Sequence, residues 1–153
     1  MGGDANSIDA TIDTLYACMS FAPGALPDYA RLQTLFLPGA SLLPPSDEED
    51  PVPAMDLATF VETSRAAFAS SEALQERGFV EAEIARRVER FGSIVQVLST
   101  FEVRYPDAHG PPLGRGVNSL QLVRRAERWW IVSLTWDDES PVTPLPQRYL
   151  SSP

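Results

Sequence analysis

The stretch Gly116-Val117-Asn118-Ser119-Leu120-Gln121-Leu122-Val123-Arg124 decides the fold of this chain, together with Arg128-Trp129-Trp130-Ile131-Val132-Ser133-Leu134-Thr135-Trp136-Asp137 just beyond it. Both segments are rich in β-branched and aromatic residues. Ala126-Glu127-Arg128 between them reads as a tight turn, so they form two long antiparallel strands, Val117 to Arg125 and Trp129 to Asp137. In a regular strand Trp129, Ile131, Ser133, Thr135 and Asp137 share one face. Trp130, Val132, Leu134 and Trp136 share the other. Both faces are apolar enough to be buried, so both need cover.

Two further strands precede this hairpin. Phe79 to Gly92 alternates with a period of two, placing Glu81, Glu83, Ala85, Arg87 and Glu89 on a side read as wet. Ser93 to Tyr105 is more apolar, with Ile94, Val95, Val97, Leu98, Phe101 and Val103. The link Pro106 to Gly116 is rich in Pro and Gly and holds His109, the one histidine of the chain.

Upstream of Gly78 the period is helical. Ile8, Ile12, Leu15, Tyr16 and Met19 follow the N-cap candidate Ser7, and Ala22-Pro23-Gly24 stops this helix. A second helix is expected from Asp28 to Leu37, then a short edge strand at Ala40 to Leu43. Residues 44–55 form an acidic, Pro-rich loop, disordered or a lid, with Asp47-Glu48-Glu49-Asp50 at its centre. A third helix starts after Asp56 and runs, with a kink at Ser70-Ser71, to Arg77. Residues 1–6 read as a flexible tail. Residues 141–153 read as an extended tail docked by Leu145, Tyr149 and Leu150. Helices and strands are segregated, so the fold class is α+β: three N-terminal helices on one face of about four long antiparallel strands plus a short edge strand, in one domain spanning 1–153.

The chain has 153 residues, 21 acidic and 12 basic, and a formal net charge of −9. All the basic residues are Arg. The absence of Lys excludes Schiff-base and P-loop lysine chemistry. The acidic balance argues against nucleic acid and anionic membrane as partners. Residues 1–76 hold 12 acids and two Arg, whereas residues 77–153 hold nine acids and ten Arg. A lone Cys18 excludes an internal disulfide, and no secretory signal or transmembrane run is visible, so a cytoplasmic protein is expected. One His and one Cys far apart are no zinc constellation, and no cofactor motif is present.

The hairpin, above all Arg128-Trp129-Trp130-Ile131-Val132, is similar to the closing hairpin of the nuclear-transport-factor-2-like superfamily, also called SnoaL-like. The order of elements resembles that superfamily over nearly the whole chain. The resemblance implies a cone-shaped α+β barrel with a cavity between helices and sheet, and homodimerisation through the outer sheet face. It does not imply one function, because the superfamily holds isomerases, cyclases, dehydratases, hydrolases and non-catalytic binding or docking domains. A steroid-isomerase-like site needs a carboxylate opposite a Tyr hydroxyl; Tyr16 is available, with no matching Asp evident. Glu102, Arg104 and Asp137 imitate an epoxide-hydrolase-like triad by residue type only.

Glu102 and Asp137 are therefore the candidate general bases, against a structural reading in which they pair with sheet arginines. Tyr16, Asn118, Thr135 and Arg104 are candidate ligand-binding residues. The arginine doublets Arg86-Arg87 and Arg124-Arg125 read as cross-strand ion pairs. With only three helices, one sheet face is expected to meet a second subunit, and Trp130, Val132, Leu134 and Trp136 are assigned to it. Three functions stay open: binding of a small apolar or amphipathic ligand in the cavity, an isomerase, cyclase or hydrolase using a pocket carboxylate, and a docking module whose acidic loop meets a basic partner.

Overall fold

A computed structural model describes residues 5–153. The elements in chain order are α1 (Ile8–Met19), α2 (Tyr29–Gln33), β1 (Phe36–Leu43), α3 (Leu57–Ser70), α4 (Glu72–Arg77), β2 (Val80–Phe91), β3 (Ile94–Arg104), β4 (Gly114–Arg125) and β5 (Arg128–Asp138). A 3-10 turn at Gln147–Tyr149 follows. The strands form one sheet in the order β1-β5-β4-β3-β2. β2 to β5 meander antiparallel, and β1 adds to β5 in parallel. The architecture is the α+β arrangement expected from the sequence.

Local chemistry sets the helix ends. Ser7 caps α1 by accepting the Ala10 N–H at 3.0 Å, and Asp56 caps α3 by accepting the Thr59 N–H at 2.8 Å. Ser71 is extended and caps α4, so the expected kink is a full break into two helices. The second helix is shorter than expected, ending at Gln33. The Ile131 N–H captures the Leu35 carbonyl at 2.9 Å, and Phe36 already pairs with β5. Burial of Leu35 and Phe36 in the sheet layer overrides their helical spacing. The β4–β5 turn is Ala126-Glu127, both at positive φ, as a two-residue hairpin turn requires.

The acidic loop is locally structured. Asp47 and Asp50 form a tight turn, and Ser46 Oγ accepts the Val52 N–H at 3.0 Å. The C-terminal segment lies along β2, where Arg148 O accepts from Arg87 Nε at 3.0 Å and Ser152 Oγ from the Arg86 N–H at 3.0 Å. Of the expected N-terminal tail, residues 1–4 lie outside the described residues. Ala5 is buried, and its carbonyl accepts the Trp129 N–H at 2.9 Å.

Two β-bulges control which side chains face the helices. On β5, Ile131 pairs with Leu122 and Ser133 pairs with Gln121, so Val132 is an extra residue. An extra residue reverses the alternation beyond it. Trp129 and Ile131 point inward before the bulge, and Leu134 and Trp136 point inward after it. This corrects the expected interface face: Trp130 and Val132 lie outside, but Leu134 and Trp136 pack with the core. On β2, Ile84 is extra between Glu83, paired with Phe101, and Ala85, paired with Thr100. Glu81 and Glu83 therefore stand on the inner face with Val103 and Phe101, not on a wet face. Gly116, opposite Phe101, has no room for a side chain: a Cβ there would lie 2.6 Å from the Phe101 ring.

Candidate functional site

Between the helices and the concave face of the sheet lies a cavity of about 370 Å³. Leu15 and Met19 of α1, Phe60 and Phe68 on α3, and Phe101, Leu134 and Trp136 on the sheet make it strongly apolar. Phe60 stands edge-on to Trp136 with ring centroids 6.0 Å apart. Pro44 and Met55, at the two ends of the acidic loop, also line it. Among the described residues, the ionisable lining groups are Glu81 and Asp138, and no cationic side chain is present.

Glu81 is placed by the junction between α1 and β2. Phe21 and Phe79 exchange backbone hydrogen bonds of 2.9 Å. The Ser20 hydroxyl then accepts the Glu81 N–H at 3.1 Å and donates to its carbonyl at 3.4 Å. The Glu81 carboxylate projects into the cavity without a hydrogen-bond partner among the described residues. Burial pushes its pKa up to about 7. Desolvation disfavours the charged form, and no cation opposes it. Near neutral pH the group is therefore present in both protonation states, as a general acid–base residue needs. Asp138 also lines the cavity but is exposed, its pKa raised by partial desolvation and then by the charge of Asp137.

A second polar feature lines the same cavity. Asn118 on β4 lines the cavity and donates from Nδ2 to Tyr16 Oη at 3.1 Å. Tyr16 Oη lies 2.6 Å from Ser99 Oγ, and Ser99 donates to Glu83 at 2.5 Å. Arg86 binds Glu83 at 2.6 Å and reaches Asp9 and Asp13 of α1, each at 2.6 Å. A continuous chain of hydrogen bonds thus runs from the cavity wall to the surface of α1. Burial raises the Tyr16 pKa well above the usual phenol range.

Of the residues expected at a site, Tyr16 and Asn118 meet at the cavity wall, with Tyr16 behind Asn118. The other four are elsewhere. Glu102 and Arg104 lie on the outer face and pair with each other at 3.0 Å. Thr135 and Asp137 are exposed on the outer face of β5, carried there by the Val132 bulge. Outward residues alternate with the inward Phe101 and Val103 on β3, so Glu102 cannot reach the cavity. Glu81 takes the position those carboxylates were expected to hold. His109 is exposed and Cys18 is buried. Among the described residues no group of His, Cys, Asp or Glu could hold a metal ion, and no helix is long and apolar enough to cross a membrane.

The site and topology define a class: a curved antiparallel sheet closed by helices around an apolar cavity. No sequence-family model matches the chain, and no curated protein matches it by sequence. Solved structures do. A Streptomyces avermitilis protein of the NTF2-like family, provisionally named a dehydratase, aligns with a TM-score of 0.63 at 15% identity, over 90% of this chain and 96% of that one. A Thiobacillus denitrificans protein, designated an association domain of calcium/calmodulin-dependent protein kinase type II, gives 0.64 at 12% identity over 88% and 96%. An NTF2-like protein of unknown function from Silicibacter pomeroyi gives 0.57 at 19% identity over 86% and 92%. The fold is the NTF2-like, or cystatin-like, cone. Such similarity defines the fold, and function has to be argued from the site.

Proposed function

We propose that this protein binds a small, mainly apolar molecule in the cavity and that Glu81 acts on it as a general acid–base, in chemistry of the isomerase, cyclase or hydrolase kind. The observation that carries this reading is an unpartnered carboxylate in an apolar cavity, with its pKa pushed up to about 7. A partly buried carboxylate in an apolar cavity without a partner is costly, which favours a functional over a structural role. The cavity volume of about 370 Å³ lies within the usual range for small-molecule sites. Asn118 supplies a buried polar contact in the same cavity.

The test uses 6-hydroxy-β-tetralone, a neutral bicyclic ketone of suitable size that also carries a hydroxyl donor, in deuterium oxide. The protein is expected to accelerate exchange of the protons next to the carbonyl, followed by NMR. Glu81→Gln is expected to remove about 100- to 10,000-fold of that acceleration. Exchange no faster than in buffer, or unchanged in the variant, would refute the reading.

We further propose that a second copy of the chain covers the outer sheet face. Phe91 and Ile94 are exposed beside the outward Val132, and exposed apolar groups of this size call for cover. Light scattering at micromolar concentration is expected to give the mass of a dimer, and Ile94→Asp the mass of a monomer. A monomeric mass for the unaltered protein would count against this interface.

A further inference from the structure

The hydrogen-bond chain behind Asn118 has a direction. Glu83 is held by Arg86 through both carboxylate oxygens and accepts the Ser99 hydroxyl proton. Ser99 Oγ is then free to accept, so the single hydroxyl proton of Tyr16 goes to Ser99. Tyr16 Oη is left as an acceptor, and only the amide nitrogen of Asn118 can satisfy it. The carboxylate at one end therefore dictates which way the amide at the other end faces. Asn118 is only 6% exposed. Its Oδ1 has no partner among the described residues and is not sealed from the cavity.

We propose that Asn118 is the ligand's polar anchor, that it presents its carbonyl oxygen, and that Tyr16, Ser99 and Glu83 are positioning residues which enforce that orientation. This rests on the cavity being a ligand site. Its consequence is a ligand class: an uncharged apolar body carrying a hydroxyl or N–H donor. Oδ1 and the Glu81 and Asp138 carboxylates accept hydrogen bonds, the Ser64 hydroxyl is already engaged with Tyr29 Oη at 2.7 Å, Thr63 is exposed, and no lining cation would welcome an anion. Cutting the relay at Ser99 reverses the logic. The Tyr16 hydroxyl must then find another acceptor, the Asn118 amide turns its oxygen toward it, and the cavity faces two N–H donors instead.

The experiment measures binding of β-naphthol and of its methyl ether, which has no donor, by tryptophan fluorescence, since Trp136 lines the cavity. The unaltered protein is expected to prefer the naphthol by about tenfold, one hydrogen bond's worth. In Ser99→Ala the ratio is expected to fall to about one, and Glu83→Gln, which no longer fixes the direction of the Ser99 hydroxyl, provides a second test if the alanine variant folds poorly. Glu102→Gln, on the outer face away from the cavity, is expected to keep the preference. A preference that survives both relay substitutions, or that disappears only in Glu81→Gln, overturns this assignment while leaving the base proposal standing. Binding of neither probe overturns both. Unchanged 6-hydroxy-β-tetralone exchange in Glu81→Gln, with selectivity still following Ser99, removes the base proposal alone.

Discussion

Arg86→Leu is expected to destabilise the protein by about 3 kcal/mol, because it strips a partly buried carboxylate of its charge partner. The Arg86 side chain is 14% exposed and that of Glu83 is 19% exposed. Asp9 and Asp13 are 78% and 72% exposed, so their shares of the cluster are small. In a chain of this length each kcal/mol corresponds to roughly 2–4 °C in melting temperature, so the midpoint is expected to fall by about 6–12 °C. The same substitution made in a Glu83→Leu background is expected to cost much less, since no uncompensated charge remains. The check is a double-mutant cycle by thermal unfolding. A loss no larger than that of Asp9→Ala would show that Arg86 is an ordinary surface cation.

Glu81 is expected to act in the opposite sense. Its ordinary pKa of 4.5 is raised to about 7 in the folded protein. The folded state therefore binds more protons between these values, and stability falls as pH rises through that window. Below about pH 4.5 the group is neutral in both states and costs nothing through its charge. Above pH 7 the full penalty is present, on the order of 3 kcal/mol. Glu81→Gln removes the charge, so the variant is expected to melt about 6–12 °C above the unaltered protein at alkaline pH and level with it at pH 4. Thermal unfolding of both proteins across this range checks it. A variant no more stable at alkaline pH would mean that the carboxylate is solvated after all. Higher stability together with lost proton exchange is the signature of a group kept for function.

Much of this was legible in the residues. Ser7, Asp56 and Gly78 mark helix ends, and each does so in the structure through the bond that its residue type predicts. The doublet Arg86-Arg87 splits between the faces as a strand requires. Arg86 goes inward to Glu83 and α1, and Arg87 goes outward to the C-terminal segment. Tyr16 and Asn118, 102 residues apart, were both recognisable as polar groups in apolar settings, and they meet at 3.1 Å. Glu81 was not recognisable. Nothing in Val80-Glu81-Ala82-Glu83 separates an inward acid from an outward one, and the companions Ala85, Arg87 and Glu89 made its side look wet. The second helix was overextended for a related reason: Leu35 and Phe36 suit a helix face as well as a buried strand.

The sequence by itself determined the element types and their order, the segregation of helices from strands, and the exclusion of lysine chemistry. These follow from local periodicity, caps and composition, which each segment carries within itself. Only the tertiary structure decided which face of each strand meets the helices. That choice depends on the bulges at Ile84 and Val132, which arise from the register between paired strands. One extra residue reverses every side chain beyond it. Through that reversal Trp136 left the expected interface for the cavity, and Asp137 left the cavity for the surface. The parallel reversal on β2 left Glu81 as the carboxylate inside.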